Sequence, residues 1–156
     1  MNNPITIRQA VQADLPNVVS LWQEHQEYHA GIDPHFERAE NANAGFLKFL
    51  QENLEEIGLF VAEADEKLVG FVLAEVATRP PCFAQREYGM IDDLAVTEAR
   101  RGRGIGQRLV KQAMAWFEEK SIKRVETRVV MANELASRFW KEAGFEPYIQ
   151  SLYKRA

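Results

Sequence analysis

Gly102, Gly104 and Gly106 alternate with Arg103 and Ile105 directly behind Arg100-Arg101, and the apolar run Leu94-Ala95-Val96 stands a few residues ahead of them. Glycine admits positive φ and leaves the backbone bare, so successive N–H groups can converge on one anion. A helix starting there adds unpaired N–H groups and partial positive charge. Arg100, Arg101 and Arg103 add full charges, and the combination suits a phosphate, above all a pyrophosphate. The plainer alternative is a turn and helix cap with solvated arginines. A G-x-G-x-x-G dinucleotide motif would need glycine at position 107, where Gln107 stands, and no Lys followed by Ser or Thr completes a nucleotide-binding P-loop.

Asp92 and Asp93 lie just before this run. Neighbours on a strand point to opposite faces, so only one of the two can face a given reactant, and a bulge would disturb the alternation. Either carboxylate could instead pair with Arg86 or Arg101. His25-Gln26-Glu27-Tyr28-His29 places two histidines at helical i, i+4 spacing, a spacing able to ligate zinc. The H-E-x-x-H motif needs Glu where Gln26 stands, so no metal is expected. Cys82 is the lone cysteine and cannot form an internal disulfide.

The surrounding pattern shows what must hold these residues. Ile5 to Arg8 reads as a strand. Asp14 is placed to cap a helix with the stripe Leu15, Val18, Val19 and Trp22. Tyr28 to Asn43 has no clear period and is expected to be a loop. A second helix carries Phe46, Leu47, Leu50 and Leu54 and ends near Gly58. Leu59 to Ala64 and Leu68 to Thr78 form a hairpin around Asp65-Glu66-Lys67. Tyr88 to Val96 is a further strand, and Ile105, Leu109, Val110, Ala113, Trp116 and Phe117 mark a strongly amphipathic helix. A strand from Val125 to Val130, a short helix from about Asn133 and one or two closing strands between Phe145 and Tyr153 complete the expectation. The mixed order implies α/β or α+β architecture with a sheet that is not wholly parallel.

The 156 residues fit one domain, 1–156. Hydrophobic residues make up 46%, charged residues 27%, and 9 Phe, 4 Tyr and 3 Trp can fill one core, which excludes disorder. A net charge of −4 speaks against nucleic acid as a partner. No apolar run is long enough to span a membrane. Met1-Asn2-Asn3-Pro4 lacks the basic and apolar regions of a signal peptide, so a cytoplasmic protein is expected.

Arg101-Gly102-Arg103-Gly104-Ile105-Gly106 resembles the (Arg/Gln)-x-x-Gly-x-(Gly/Ala) signature of the GCN5-related N-acetyltransferases (GNAT). Asp92-Asp93-Leu94-Ala95-Val96 resembles that family's fourth strand. Asn133, Ala136, Phe139, Gly144 and Phe145 resemble its Asn-x-x-Ala-x-x-Phe-Tyr-x-x-x-Gly-Phe segment. The resemblance implies a mostly antiparallel sheet splayed between strands four and five, about four flanking helices and acetyl-CoA in the splay.

It also implies roles. Leu94, Ala95 and Val96 would pair with the pantetheine arm, and an N–H there would polarise the thioester carbonyl. Backbone N–H groups of Arg101, Gly102, Arg103, Gly104, Ile105 and Gly106 would hold the pyrophosphate. Asn133, Ser137 and Trp140 would complete the cofactor site. An amine with a reference pKa of about 10.4 arrives as ammonium and must lose a proton before attacking. Asp92 is favoured for that proton and Asp93 for a structural part. Trp140 occupies the family's usual Tyr position and offers no useful acid, while a thiol with a pKa near 8.5 leaves readily without one. Tyr148 or Tyr153 could substitute, although both also read simply as strand aromatics.

Glu24, Glu27, Tyr28, His29, Asp33 and His35 would line the acceptor side, with Glu27, Tyr28 and His29 foremost. The expected activity is acetyl transfer to a primary amine of a small molecule or peptide, in a possible homodimer. The alternatives are a non-catalytic acyl-CoA sensor and an unrelated nucleotide-binding protein.

Overall fold

The computed structural model describes residues 3–156, and Met1-Asn2, where the signal-peptide reading begins, lie outside the described residues. Five strands order as β1-β2-β3-β4-β5, with β1 at Thr6–Gln9, β2 at Gly58–Ala64, β3 at Lys67–Thr78, β4 at Glu87–Val96 and β5 at Val125–Thr127. The first four pair antiparallel, and β5 alone runs parallel to its neighbour. The helices are α1 at Leu15–Ile32, α2 at Ala42–Asn53, α3 at Ile105–Glu119 and α4 at Glu134–Glu142. This is the mixed, not wholly parallel architecture expected from the pattern, and the mostly antiparallel sheet that the resemblance implies.

Both faces of the sheet are covered, which is why β2 and β3 read as nearly continuous apolar runs. Phe60, Ala62, Val72 and Ala74 pack towards α3 and Trp140 of α4. Leu59, Val61, Phe71 and Leu73 pack towards α1 and α2 on the other face. Phe71, Leu59 and Phe117 are fully buried; each such side chain contributes about 1.5–3 kcal/mol through burial.

Several expected boundaries move. Asp14 does not cap α1: its carboxylate accepts from the Val11 N–H at 2.8 Å and pairs with Arg8 at 2.7 Å, closing the preceding 3₁₀ turn. The expected loop from Tyr28 is helical to Ile32, so Tyr28 and His29 stand on α1. The helix stops there because Asp33 precedes Pro34, which disfavours helical backbone. The hairpin turn is tighter than expected: Asp65 and Glu66 both take left-handed φ, at 53° and 60°, and Lys67 already pairs with Ala64.

β5 ends at Thr127 rather than Val130. No strand forms between Phe145 and Tyr153. Phe145 is held back by its N–H bond to Trp140 O at 2.9 Å and by its ring on Trp140, and Pro147 removes a ladder donor. Tyr148 then turns its hydroxyl onto Glu126 at 2.6 Å instead of entering the sheet.

Candidate active site

β4 and β5 part where their short ladder ends. Ile91↔Thr127 is the last pair, and the Thr127 hydroxyl donates to the Ile91 carbonyl at 3.0 Å. Beyond that point Leu94 to Val96 keep β3 on one side and have no ladder partner on the other. The opening is a cleft of about 550 Å³, walled by β4, the Thr127–Val130 segment, α1, and the near ends of α3 and α4. A second cavity lies beside Glu56, Thr78, Glu87 and Lys120, with neither a glycine turn nor a helix start in it. The cleft is therefore the candidate.

At one end of the cleft Gly102 and Gly104 adopt φ of 72° and 76°, conformations that side chains disfavour. Gly104 is the N-cap of α3, and the first backbone bond into the helix comes from Arg108 N to Gly104 O. The N–H groups from Gly102 to Gln107 have no protein acceptor among the described residues. With the positive end of α3 behind them, these donors form a cradle for an anion. Gly106 lets α4 approach, since a Cβ there would lie 3.0 Å from Phe139.

The arginines divide. Arg101 borders the cleft, donates from Nε to Val96 O at 3.0 Å and lies 5.9 Å from the Tyr28 ring centroid. Arg100 also borders it and pairs with Asp65 at 2.8 Å. Arg103, expected in the cradle, is exposed and its side chain is not part of the cleft wall.

Asn133 caps α4, its Oδ1 accepting from Ala136 N at 3.1 Å. Its Nδ2 has no protein partner among the described residues and remains available in the cleft wall. Trp140 and Phe139 also line the cleft. Ser137 does not: it is exposed on α4, and Ala136 and Leu135 stand at the cleft in its place.

At the other end β4 carries a bulge. Leu73 pairs with Asp93 and Ala74 with Ile91, so Asp92 is the extra residue. The alternation is inverted as a result: Gly89 and Ile91 face α3 before the bulge, and Leu94 and Val96 face it after. Asp92 borders the cleft, while Asp93 turns to α1 and accepts from Gln26 Nε2 at 3.3 Å. The bulge thus leaves both aspartates on the face away from α3, and only Asp92 borders the cleft. Partial loss of hydration, then the Glu75 and Asp93 carboxylates, push Asp92 up to about 7, against the opposing pull of Arg128. Burial and Glu75 push Asp93 up to about 6 despite the Gln26 bond.

α1 supplies His25, Tyr28 and His29 to the cleft wall. His29 Nδ1 lies 2.9 Å from the His25 carbonyl. A carbonyl only accepts, so His29 Nδ1 is the donor of this bond. Burial, His29 and Arg101 lower His25 to about 4, which keeps its ring neutral at pH 7. Glu27, expected at the acceptor side, faces away: it is exposed and pairs with Arg38 at 3.2 Å. Asp33 caps the Pro34 turn by accepting from His35 N, and Glu24, Asp33 and His35 do not border the cleft. No group of three His, Cys, Asp or Glu side chains among the described residues is placed to hold a metal.

The profile of the Acetyltransferase (GNAT) family matches residues 18–145, which span the cleft and most of both cores. The chain belongs to the GNAT acetyltransferase family. Over 141 residues it is 30% identical to an uncharacterised N-acetyltransferase of Methanocaldococcus jannaschii, covering 90% of this chain and 60% of that protein. The solved structure of a tetramutant of the BH1408 protein from Bacillus halodurans is 25% identical, with a TM-score of 0.84 over 97% of this chain and 99% of that one. Aminoglycoside N-acetyltransferase AAC(6')-Iy, solved in complex with CoA, shares the fold at a TM-score of 0.78 and 18% identity, covering 100% of this chain and 97% of that one.

Sequence reasoning missed four residues of this GNAT site. Thr127 ends β5 and Arg128 follows it, in a run expected to stay strand to Val130, so their position at the splay was hidden. His25 was weighed only as a metal ligand. Glu75 lines the second cavity rather than the cleft and bears on the site through Asp92; a single carboxylate in an apolar β3 run was the available signal.

Proposed function

We propose that this GNAT domain transfers an acetyl group from acetyl-CoA to a primary amine of a small molecule or peptide by direct attack. The observation that carries the reading is the unpaired stretch of β4 leading into consecutive free N–H groups from Gly102 to Gln107. That continuity suits an extended arm ending in a pyrophosphate, which is the chemistry of coenzyme A.

Bound acetyl-CoA would supply the thioester carbonyl that the amine attacks. Leu94, Ala95 and Val96 would hold the extended arm through their open backbone edge, and an N–H there would polarise the carbonyl oxygen. The N–H groups of Gly102 to Gly106 would hold the pyrophosphate, with Arg100 and Arg101 adding charge. Asn133 Nδ2 would donate from the opposite wall. Asp92 would take the ammonium proton, because it borders the cleft and, near 7, it combines availability at neutral pH with proton affinity. Asp93 would hold α1 to β4 through Gln26. Tyr28 and His29 would contact the acceptor. Amine acceptors are compatible with the CoA-bound aminoglycoside enzyme that shares the fold.

One observation favours a second reading, a non-catalytic acyl-CoA sensor. Trp140 stands where the resemblance puts Tyr and borders the cleft, and its indole N–H is a donor but no useful acid. Two measurements separate the readings. Acetyl-CoA and CoA should raise the thermal midpoint while ATP and NAD do not, a ligand at 100 times its Kd adding about 2.7 kcal/mol. Thiol release from acetyl-CoA over a panel of amines should then show turnover that Asp92→Asn removes. Binding without turnover on any amine leaves the sensor, and no CoA-specific shift rejects both readings.

A further inference from the structure

Three of the six buried or half-buried carboxylates among the described residues are matched to arginine. Asp14 and Glu63 share Arg8, and Glu126 receives Arg79 and Arg124. At the acceptor end of the cleft Asp92 borders the opening, whereas Glu75 lines the second cavity and Asp93 packs on Gln26. Glu75, Asp92 and Asp93 form no ion pair among the described residues, although Glu75 and Asp93 are half-buried.

The register explains how they meet. Glu75 pairs with Met90, two positions along β3 from Leu73, which pairs with Asp93. Strand alternation puts Glu75 on the same face as Phe71 and Leu73, the face packed by α1. Asp93 lies on that face too, against Gln26. The bulge inserts Asp92 into the same interval without a partner of its own on β3.

We propose that Glu75 is a positioning residue of the acetyl transfer, sharing a proton with Asp92 across the β3–β4 pair so that Asp92 becomes a stronger proton acceptor. The doubly ionised pair takes one proton from the ammonium and leaves a neutral amine. That proton is held between the two carboxyl groups, with one negative charge remaining, and passes to water at the cleft mouth. Carboxylates this close do not ionise independently, so the second ionisation is pushed upward. The direction found for Asp92 agrees, the Glu75 carboxylate being among the groups that raise it. The other groups around Asp92 are Asp93 on β4, Arg128 and Thr127 beyond the splay, and Gln26, His25 and His29 on α1. Of these, only Arg128 opposes protonation of Asp92 by its charge.

The proposal rests on Asp92 being the proton acceptor, so its test is read without turnover. The chain would be labelled with ¹³C at aspartate Cγ and titrated by NMR with no ligand present, following Asp14, Asp33, Asp65, Asp92 and Asp93. Asp92 in the unsubstituted protein should titrate in two steps, the larger near 7. Glu75→Gln should give one step with a midpoint lower by about one pH unit or more. Glu75→Asp, which keeps the charge, should retain the elevated midpoint.

A single step for Asp92 in the ordinary carboxylate range of the unsubstituted protein overturns the proposal even if neither variant folds. An unmoved midpoint in folded Glu75→Gln overturns it as well, while loss of turnover in Asp92→Asn would still leave Asp92 as the base. The expected titration together with full turnover in Asp92→Asn would instead reject Asp92 as the base, and with it the catalytic part given to Glu75.

Discussion

The Thr127 hydroxyl donates to the Ile91 carbonyl at 3.0 Å, at the last paired position of β4 and β5 and one residue before the bulge at Asp92. This bond closes the ladder at the point where the cleft opens. Thr127→Val keeps the shape and removes the donor. Stability should fall by about 0.5–1.5 kcal/mol in urea unfolding. CoA affinity should fall in the same variant, because the splay loses its hinge; an unchanged affinity would show that the bond only stabilises the sheet.

Gly104 caps α3 with φ of 76° and stands among the unpaired N–H groups. Gly104→Asp forces a side chain into left-handed backbone, at about 1–2 kcal/mol, and sets a negative charge against bound phosphates. Isothermal titration with CoA should show at least about a tenfold loss of affinity, each 1.4 kcal/mol being one factor of ten. Retained affinity would remove the cradle assignment.

Asp92→Asn should lower turnover by about 10²–10⁴ while leaving CoA affinity near that of the unsubstituted protein. A base must be deprotonated to act, so activity of the unsubstituted protein should rise with pH through about 7 and be lost below it. The check is a profile of kcat/KM against pH. A flat profile between pH 6 and 8 would assign the proton to another group.

Asp14 is buried, pairs with Arg8, and is held below the usual carboxylate range chiefly by that bond. A depressed folded-state value means stability that is present above about pH 4 and lost as pH falls through the folded value. Arg8 keeps a third of its side-chain surface in water, which screens the pair. Asp14→Asn should therefore cost about 1–3 kcal/mol at pH 7, read by urea unfolding. The cost should shrink at pH 3.

Gly89 brings β4 against α3, and a Cβ there would lie 2.6 Å from Phe117. Phe117 is fully buried and has no room to retreat. Gly89→Ala should destabilise by about 1–3 kcal/mol through overpacking, measured by calorimetry. CoA affinity should hold, since Gly89 lies outside the cleft wall.

Short-range patterns carried much of this molecule. The glycine turn, α3 and the β2–β3 hairpin were legible because positive φ, 3.6-residue periodicity and strand alternation act over a few neighbouring residues. Asn133 and Trp140 were expected at the cleft from the family resemblance, and both border it. Errors gathered where a distant contact overrode local preference. Glu27 looked like an acceptor residue until Arg38 claimed it, and Ser137 lies on the wrong side of α4. The C-terminal run has strand-like residues, yet Phe145 is captured by Trp140 and Tyr148 by Glu126.

What the amino-acid sequence determined by itself was the order of elements, the glycine turn ahead of α3 and the presence of two adjacent carboxylates, all encoded within a few residues of one another. Only the tertiary structure decided which carboxylate enters the cleft. The resemblance favoured Asp92, but strand alternation left the two aspartates open, because a bulge exists only as one strand's register against another, here Leu73 with Asp93 and Ala74 with Ile91. Glu75 joins them for the same reason: ladder pairing joins residues far apart in the chain.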